Sequence, residues 1–246
     1  PEIEIIADDA LPAKNINDLE IFLKGWLLSH IEDVLCDLIN LTKTKIDNQY
    51  LRALSFQLYE NNGILKRNDI DHIIKLINKD ERKKLWGMGI KIGRYHVFLP
   101  KMLKPKAVVL RTCLWRLYQD LPTNNKIPKF GLNFVINENF DTEFLLMCGF
   151  EKFKDFYVRV DILEKLFISI IEKTINRKFK ITHDMMNLLG CTKENFFRLI
   201  ELMSYKKSEE ADTYFFKGEN KNKKRKFVDK KKTSSPFDKL LALNIK

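Results

Sequence analysis

Residues 85–118 read LWGMGIKIGRYHVFLPKMLKPKAVVLRTCLWRLY. The first half alternates apolar and polar residues, the period of a strand, and breaks at Gly93-Arg94. The second half switches to helical spacing after Pro105, whose missing N–H costs nothing in a first helical turn. The stretch holds two of the three Trp residues, many Lys and Arg, and no carboxylate. It predicts a β-hairpin over IKIGRYHVFL followed by a helix from Lys106 to Tyr118. That helix would bury Val108 or Val109, Leu110, Leu114 and Leu117, with Trp115 at its edge.

Upstream, Ile3, Ile5 and Ile6 read as a short strand stopped by Pro12. Asp18 is expected to cap a helix whose apolar face runs through Leu19, Phe22, Trp26, Ile31 and Leu38. His30 lies on that face and reads as a core residue. Helices follow at Gln49–Asn61, closed by Gly63, then from Asn68-Asp69 through Ile77, and from Asp80 to Trp86.

Downstream, residues 119–137 hold two prolines and several Asn, and read as a linker ending in a strand at Leu132–Ile136. Thr142 would cap a short helix that ends at Gly149, and FYVRV at 156–160 is strand-like. A helix begins at Asp161 with Leu163, Leu166, Phe167, Ile170 and Ile171 inward. Asp161 and Glu164 share a face of it, where acids at a helix start serve the dipole. Phe179–Ile181 is a strand-like step. Thr182 caps His183–Leu189, Gly190-Cys191-Thr192 turns, and Lys193–Met203 is again helical. That is helix-turn-helix spacing, with Thr213–Phe216 as a wing strand.

The expected fold is therefore mainly α (α+β). A helical bundle with a small β-hairpin (1–118) and a linker (119–137) precede a winged-helix-like domain (138–216) and a disordered basic tail ending in a short helix (217–246).

The chain has 246 residues and a net charge of +11. Residues 217–232 carry nine Lys or Arg against two acids, so +7 of that charge lies there. Such a balance favours polyanions; a lysine-rich background composition is the plainer source. No apolar run reaches the length of a membrane span. Cys36, Cys113, Cys148 and Cys191 form no metal or disulfide pattern and read as core thiols of a reducing compartment, so a cytoplasmic location without membrane contact is expected. No phosphate loop, nucleophile elbow, zinc-protease helix or dinucleotide turn is present. His183 and Cys191 lack partners for a metal.

Three features point to nucleic acid. Arg94, Tyr95 and His96 sit on the hairpin turn, where Arg pairs with phosphate and aromatic rings stack on bases, or where the tip is simply solvated. Lys101, Lys104, Lys106 and Arg111 form a basic collar, or a solvated helix face. Lys223, Lys224, Arg225 and Lys226 lie in the tail, which binds phosphate backbones without sequence preference or serves as a linker or targeting signal. Lys193–Met203 carries only Lys193 and Arg198 beside two Glu. It reads as a structural or docking helix rather than a base reader.

The segment WGMGIKIGRYHVFLPKMLKPKAVVLRTCLW resembles one found downstream of the motor in alphaproteobacterial superfamily 2 helicases, relatives of the RNA helicase of the mitochondrial degradosome. There it runs as Gly–apolar–Gly-Arg, an FLP-like ribbon, LLKP, and an apolar Arg-Leu-Trp helix. FYVRVDILEKL, ITHDMMNLLGCTKENF and SPFDKLLAL resemble later pieces of the same C-terminal region, so the likeness spans about Trp26 to the end. It implies an ATP-dependent helicase as the parent, with ATP and Mg on the motor and no cofactor or catalytic residue in this chain. The absent start Met fits a piece of a longer protein. The implied partners are single-stranded RNA or DNA and the motor domains in cis. The alternative is a scaffold that docks a nuclease or ribosome-associated protein through its C-terminal helix.

Overall fold

Apolar residues at helical spacing alternate with short runs of β-branched and aromatic residues, and the structure follows that alternation. The computed structural model describes residues 3–6, 13–119, 126–136, 141–208 and 212–216. The chain is mainly helical, with small antiparallel sheets. The expected basic tail and the short helix expected at its end lie outside the described residues, as does most of the start of the 119–137 segment.

Two helices lead in, α1 (Ala13–Val34) and α2 (Cys36–Lys43). The first begins before Asp18, so the expected cap falls inside it. It breaks at Leu35, whose φ of −105° and ψ of 19° leave the helical region. Leu35, Leu38 and Leu41 enter the core. The upstream half of the expected apolar face does not: Phe22 is 68% exposed and Trp26 56%. His30 is exposed as well, stacked on Trp26 at 5.2 Å between ring centroids. A helix presents an apolar stripe whether or not a partner covers it, and here only its last turns meet the body.

Helix α3 (Gln49–Glu60) starts where the Asn48 side chain accepts from the N–H groups of Tyr50 and Leu51. Asn62 and Gly63 then take positive φ of 54° and 85° to reverse the chain into β1 (Ile64–Lys66). Helices α4 (Arg67–Ile74) and α5 (Lys79–Gly87) follow, the latter opened by an Asn78–Glu81 capping box. The expected hairpin is β2 (Lys91–Ile92) and β3 (His96–Phe98), and it gains β1 as a third strand in the order β1-β3-β2. Leu54, Leu58, Ile74 and Leu85 are fully buried beneath it, each contributing roughly 1.5–3 kcal/mol of burial free energy.

A 3-10 turn, Pro100–Leu103, leads to α6 (Pro105–Gln119). Val108, not Val109, faces inward, and Leu117 is exposed. Strand β4 (Phe134–Ile136), helix α7 (Thr142–Met147), β5 (Phe150–Phe153) and β6 (Phe156–Arg159) complete a second sheet, ordered β4-β6-β5. Its helix is capped by Asp141, not Thr142.

The third set is α8 (Val160–Glu172), β7 (Lys178–Lys180), α9 (His183–Leu189), α10 (Lys193–Leu202), β8 (Tyr205–Lys207) and β9 (Thr213–Phe216). Ile171 is exposed, against expectation. Gly190 closes α9 at a φ of 65°, and the Thr192 hydroxyl caps α10. The sheet order is β7-β9-β8.

One plan therefore recurs three times: helix, strand, one or two helices, strand, strand, with the sheet ordered first–third–second. The register makes the equivalence residue by residue. Leu65 pairs with Val97, Val135 with Tyr157, and Phe179 with Tyr214. Gly89, Gly149 and Ser204, at positive φ of 82°, 90° and 71°, each precede a buried residue at the entry to the second strand: Phe150 and Tyr205 open β5 and β8, and Ile90 comes just before β2.

The residues through Phe216 form one compact unit, although the sequence divides them at 119–137. Apolar packing bridges that division: Ile64 and Phe98 share a buried cluster with Val160, flanked by Leu103 and Leu146.

Candidate nucleic-acid interface

The hairpin turn was expected to present Arg94, Tyr95 and His96 to a ligand. Three successive backbone N–H groups in such a turn do form an anion-binding concavity. Glu164 of α8 already fills it. Its Oε2 accepts from Arg94 N at 2.6 Å, and its Oε1 from Tyr95 N at 2.7 Å and His96 N at 2.8 Å. Glu164 is 2% exposed, so it is a buried clamp and not a dipole-serving acid on a solvated first turn. A Cβ at position 93 would overlap its carboxylate. Gly93 is thus required for close approach, not for an unusual φ.

The three side chains separate. Arg94 is exposed. Tyr95 packs into the third module's core, edge-on to Phe167 at 5.7 Å, and burial pushes its hydroxyl far above the ordinary range. His96 is 2% exposed. Its Nε2 lies 3.1 Å from Glu151 Oε2, and Lys66 Nζ reaches Glu151 Oε1 at 2.8 Å. Tyr95 and His96 are therefore corrected from base-stacking candidates to packing residues, because the turn and the start of β3 that carry them are covered by elements from later in the chain.

Burial opposes a charge on His96, but the flanking Glu151 and Glu164 outweigh it and raise the imidazole above its ordinary 6.5. Burial likewise opposes charge on both glutamates, yet His96, Lys66 and the turn's N–H groups hold them below the ordinary 4.5. The signs follow from linkage. The histidine contribution is complete below 6.5 and is lost as pH rises through its raised folded value. The glutamate contribution is complete above 4.5 and is lost as pH falls through their lowered values. Thermal melts across pH should show this cluster's stabilisation greatest between those two values. His96→Gln should flatten the alkaline side of the profile, and an unchanged alkaline side would contradict the assignment.

The collar divides too. Arg111 is 2% exposed, and its guanidinium donates to the carbonyls of Met102 at 2.7 Å, Met147 at 3.0 Å and Asn62. Burial pulls it down to about 10, so it stays protonated at neutral pH. It is corrected from a phosphate contact to an internal staple. Lys101 is exposed but bonded to Asp37 at 2.8 Å. Lys104 and Lys106 are exposed at the start of α6, whose first turn holds no acid. Lys223, Lys224, Arg225 and Lys226 lie outside the described residues.

On α10, Arg198 is held by both carboxylate oxygens of Asp155, at 3.1 and 3.0 Å, and Lys193 lies 3.9 Å from Asp212. Both cations of the second helix thus have a surface carboxylate of the same chain beside them. Cys113 is exposed, unlike the core thiol expected there. Among the described residues no group of three or more His, Cys, Asp or Glu side chains is placed to hold a metal, and no helix is long and apolar enough to cross a membrane.

No family model, no curated protein and no solved structure matches this chain.

Proposed function

We propose that the chain is a nucleic-acid-binding accessory region of an ATP-dependent helicase, built from tandem winged-helix-like modules and lacking the motor itself. The observation that carries the reading is the threefold helix–strand–helix–strand–strand plan in a chain of net charge +11. Winged modules place exposed strands and turns beside a helix-turn-helix, and a strongly basic chain draws them to a polyanion. Lys104 and Lys106 add support. Cations are unfavourable at a helix N-terminus, where the dipole is positive, so fold stability does not account for them. The helicase assignment comes from the resemblance of residues 86–115 and the later segments. The exposed Leu19, Phe22 and Trp26, on one face of α1, would give a motor lobe an apolar surface to rest on.

The test is binding of the full chain to single-stranded RNA and DNA across salt. For 6–10 phosphate contacts, affinity should fall by about 10³–10⁵ between 50 and 200 mM salt. Absence of binding at low salt, or binding indifferent to salt, would overturn the reading.

A further inference from the structure

Alternate residues of a strand point to opposite faces of its sheet, so each of the three sheets has two faces with separate duties. In the first sheet Leu65 and Val97 belong to the module's own core, while Ile64 and Phe98 pack with Val160. In the second, Val135 and Tyr157 face α6 and α7, while Phe134, Phe156 and Val158 join the core of the third module. Each of these two sheets thus lies on its own helices with one face and is covered by later modules on the other.

The third sheet keeps the plan and changes the residues. Phe179 and Tyr214 face the core. Register places Lys178, Phe215 and Lys206 side by side on the other face, at the positions held by Ile64, Phe98 and Lys91 in the first sheet. Lys180, opposite Thr213, takes the place of Lys66 opposite His96. Lys178, Lys180 and Lys206 are exposed and Phe215 is half-buried. The strands of this sheet hold four lysines and no carboxylate. The change falls on the first strand of this row: Ile64 and Phe134 of the earlier sheets give way to Lys178, while Lys206 stands where the first sheet already has Lys91. Lysines on both sides of an aromatic ring match a phosphate backbone whose bases reach the ring.

The geometry points to a binding track for single-stranded nucleic acid on this face, with Lys178, Lys180 and Lys206 on phosphates and Phe215 as a stacking platform. Neighbouring strands stand about 4.8 Å apart, so Lys178 and Lys206 flank the central Phe215. Base stacking is tolerant of sequence because every base has a π-face, and it requires bases that are not already stacked in a duplex. The inference rests on the proposed nucleic-acid-binding role and gives that role a location.

The experiment titrates the full chain with labelled oligouridylate, and with a duplex of equal length, over a range of salt. Replacing Lys178, Lys180 and Lys206 together by Gln should reduce the magnitude of the salt slope by about 2 and affinity at 0.1 M by on the order of a hundredfold. Phe215→Leu keeps an apolar side chain; it should weaken single-strand binding about tenfold with the slope and duplex binding unchanged. Neutralising Lys223, Lys224, Arg225 and Lys226 by Gln serves as the control, with melting temperatures checked for every variant. If the triple variant binds as the parent does while the tail variant loses binding, the lysines serve only to protect the sheet edges; the track is then wrong and the proposed role survives. If Phe215→Leu weakens duplex and single strand alike, stacking is wrong. If the triple variant loses a protein partner but no nucleic acid, the face docks protein and the track is wrong. If the unmodified chain binds nothing at 50 mM salt, both the track and the role fall.

Discussion

Replacing Arg111 with methionine should destabilise the protein by about 3–5 kcal/mol, the range for removing one partner of a buried charged network. The size follows from what the guanidinium holds. Asn62 lies just past the end of α3, Met102 in the 3-10 turn, and Met147 at the end of α7. Carbonyls at helix ends lack partners within the helix, and these three converge on one planar fork. Methionine fills much of the volume but leaves three buried acceptors without donors, at about 1–3 kcal/mol for each unsatisfied group. Lysine should rescue poorly, since a single ammonium on a flexible stem cannot span three carbonyls held in a fixed fork. Urea unfolding should show a lower midpoint at constant slope, and for a unit of this size the melting temperature should drop by about 10 °C. Below that temperature, nucleic-acid affinity per folded molecule should be unchanged. A loss under about 1 kcal/mol accompanied by weaker nucleic-acid binding would restore Arg111 to the surface role its sequence position first implied.

Arg111 also shows where sequence reasoning stopped. The helical spacing from Pro105 and the alternation of IKIGRYHVF located α6 and the hairpin, because those signals depend only on local period. Gly190 and Thr192 marked the end of α9 and the start of α10 through capping chemistry in the same way, whereas Thr182 stands at the N-cap of α9 without a side-chain capping bond. An arginine on a helix, however, has the same local signature whether it meets water or buried carbonyls, and only the return of Met147 beside Asn62 decides it. Tyr95 and His96 failed for the same reason, since the covering elements arrive some seventy residues later. Strands β1, β5 and β8 were missed because each follows a helix or turn directly, as ILK, FEKF and YKK, without the β-branched and aromatic run that marks FYVR or TYFF. The threefold plan was hidden because the equivalent turn residues are Gly89, Gly149 and Ser204, and because outward positions change from Ile64 and Phe134 to Lys178 once a following module no longer covers them. What was legible in the candidate site was charge: Lys104 and Lys106 are exposed as read. The third-sheet lysines could have been flagged by a single cue, the alternation of Lys178-Phe179-Lys180 around one buried aromatic.

Glu164→Ala should cost a similar 3–5 kcal/mol, and its interest lies in how it couples to Gly93. The alanine leaves the N–H groups of Arg94, Tyr95 and His96 buried without an acceptor and removes a carboxylate from beside His96. Glu164→Gln preserves the shape but turns one acceptor into a donor facing a donor, so it should retain only part of the stability, at a cost of about 1.5–3 kcal/mol for the charged hydrogen bonds. Gly93→Ala should also destabilise, by about 1–3 kcal/mol, because the new methyl group overlaps the carboxylate. In the double variant that overlap is gone. The combined loss should therefore be smaller than the sum of the single losses by about 0.5–3 kcal/mol, as for residues in direct contact. Strict additivity in the double-mutant cycle would mean that Glu164 does not occupy the turn. If the clamp is real, the hairpin's anion site is filled from within. A phosphate seeking this turn would have to displace a buried carboxylate, so Glu164→Ala should expose a new anion site as it loosens the fold. Sulfate should then stabilise Glu164→Ala against heat more than it stabilises the parent, and equal stabilisation of the two would argue against an occupied anion site.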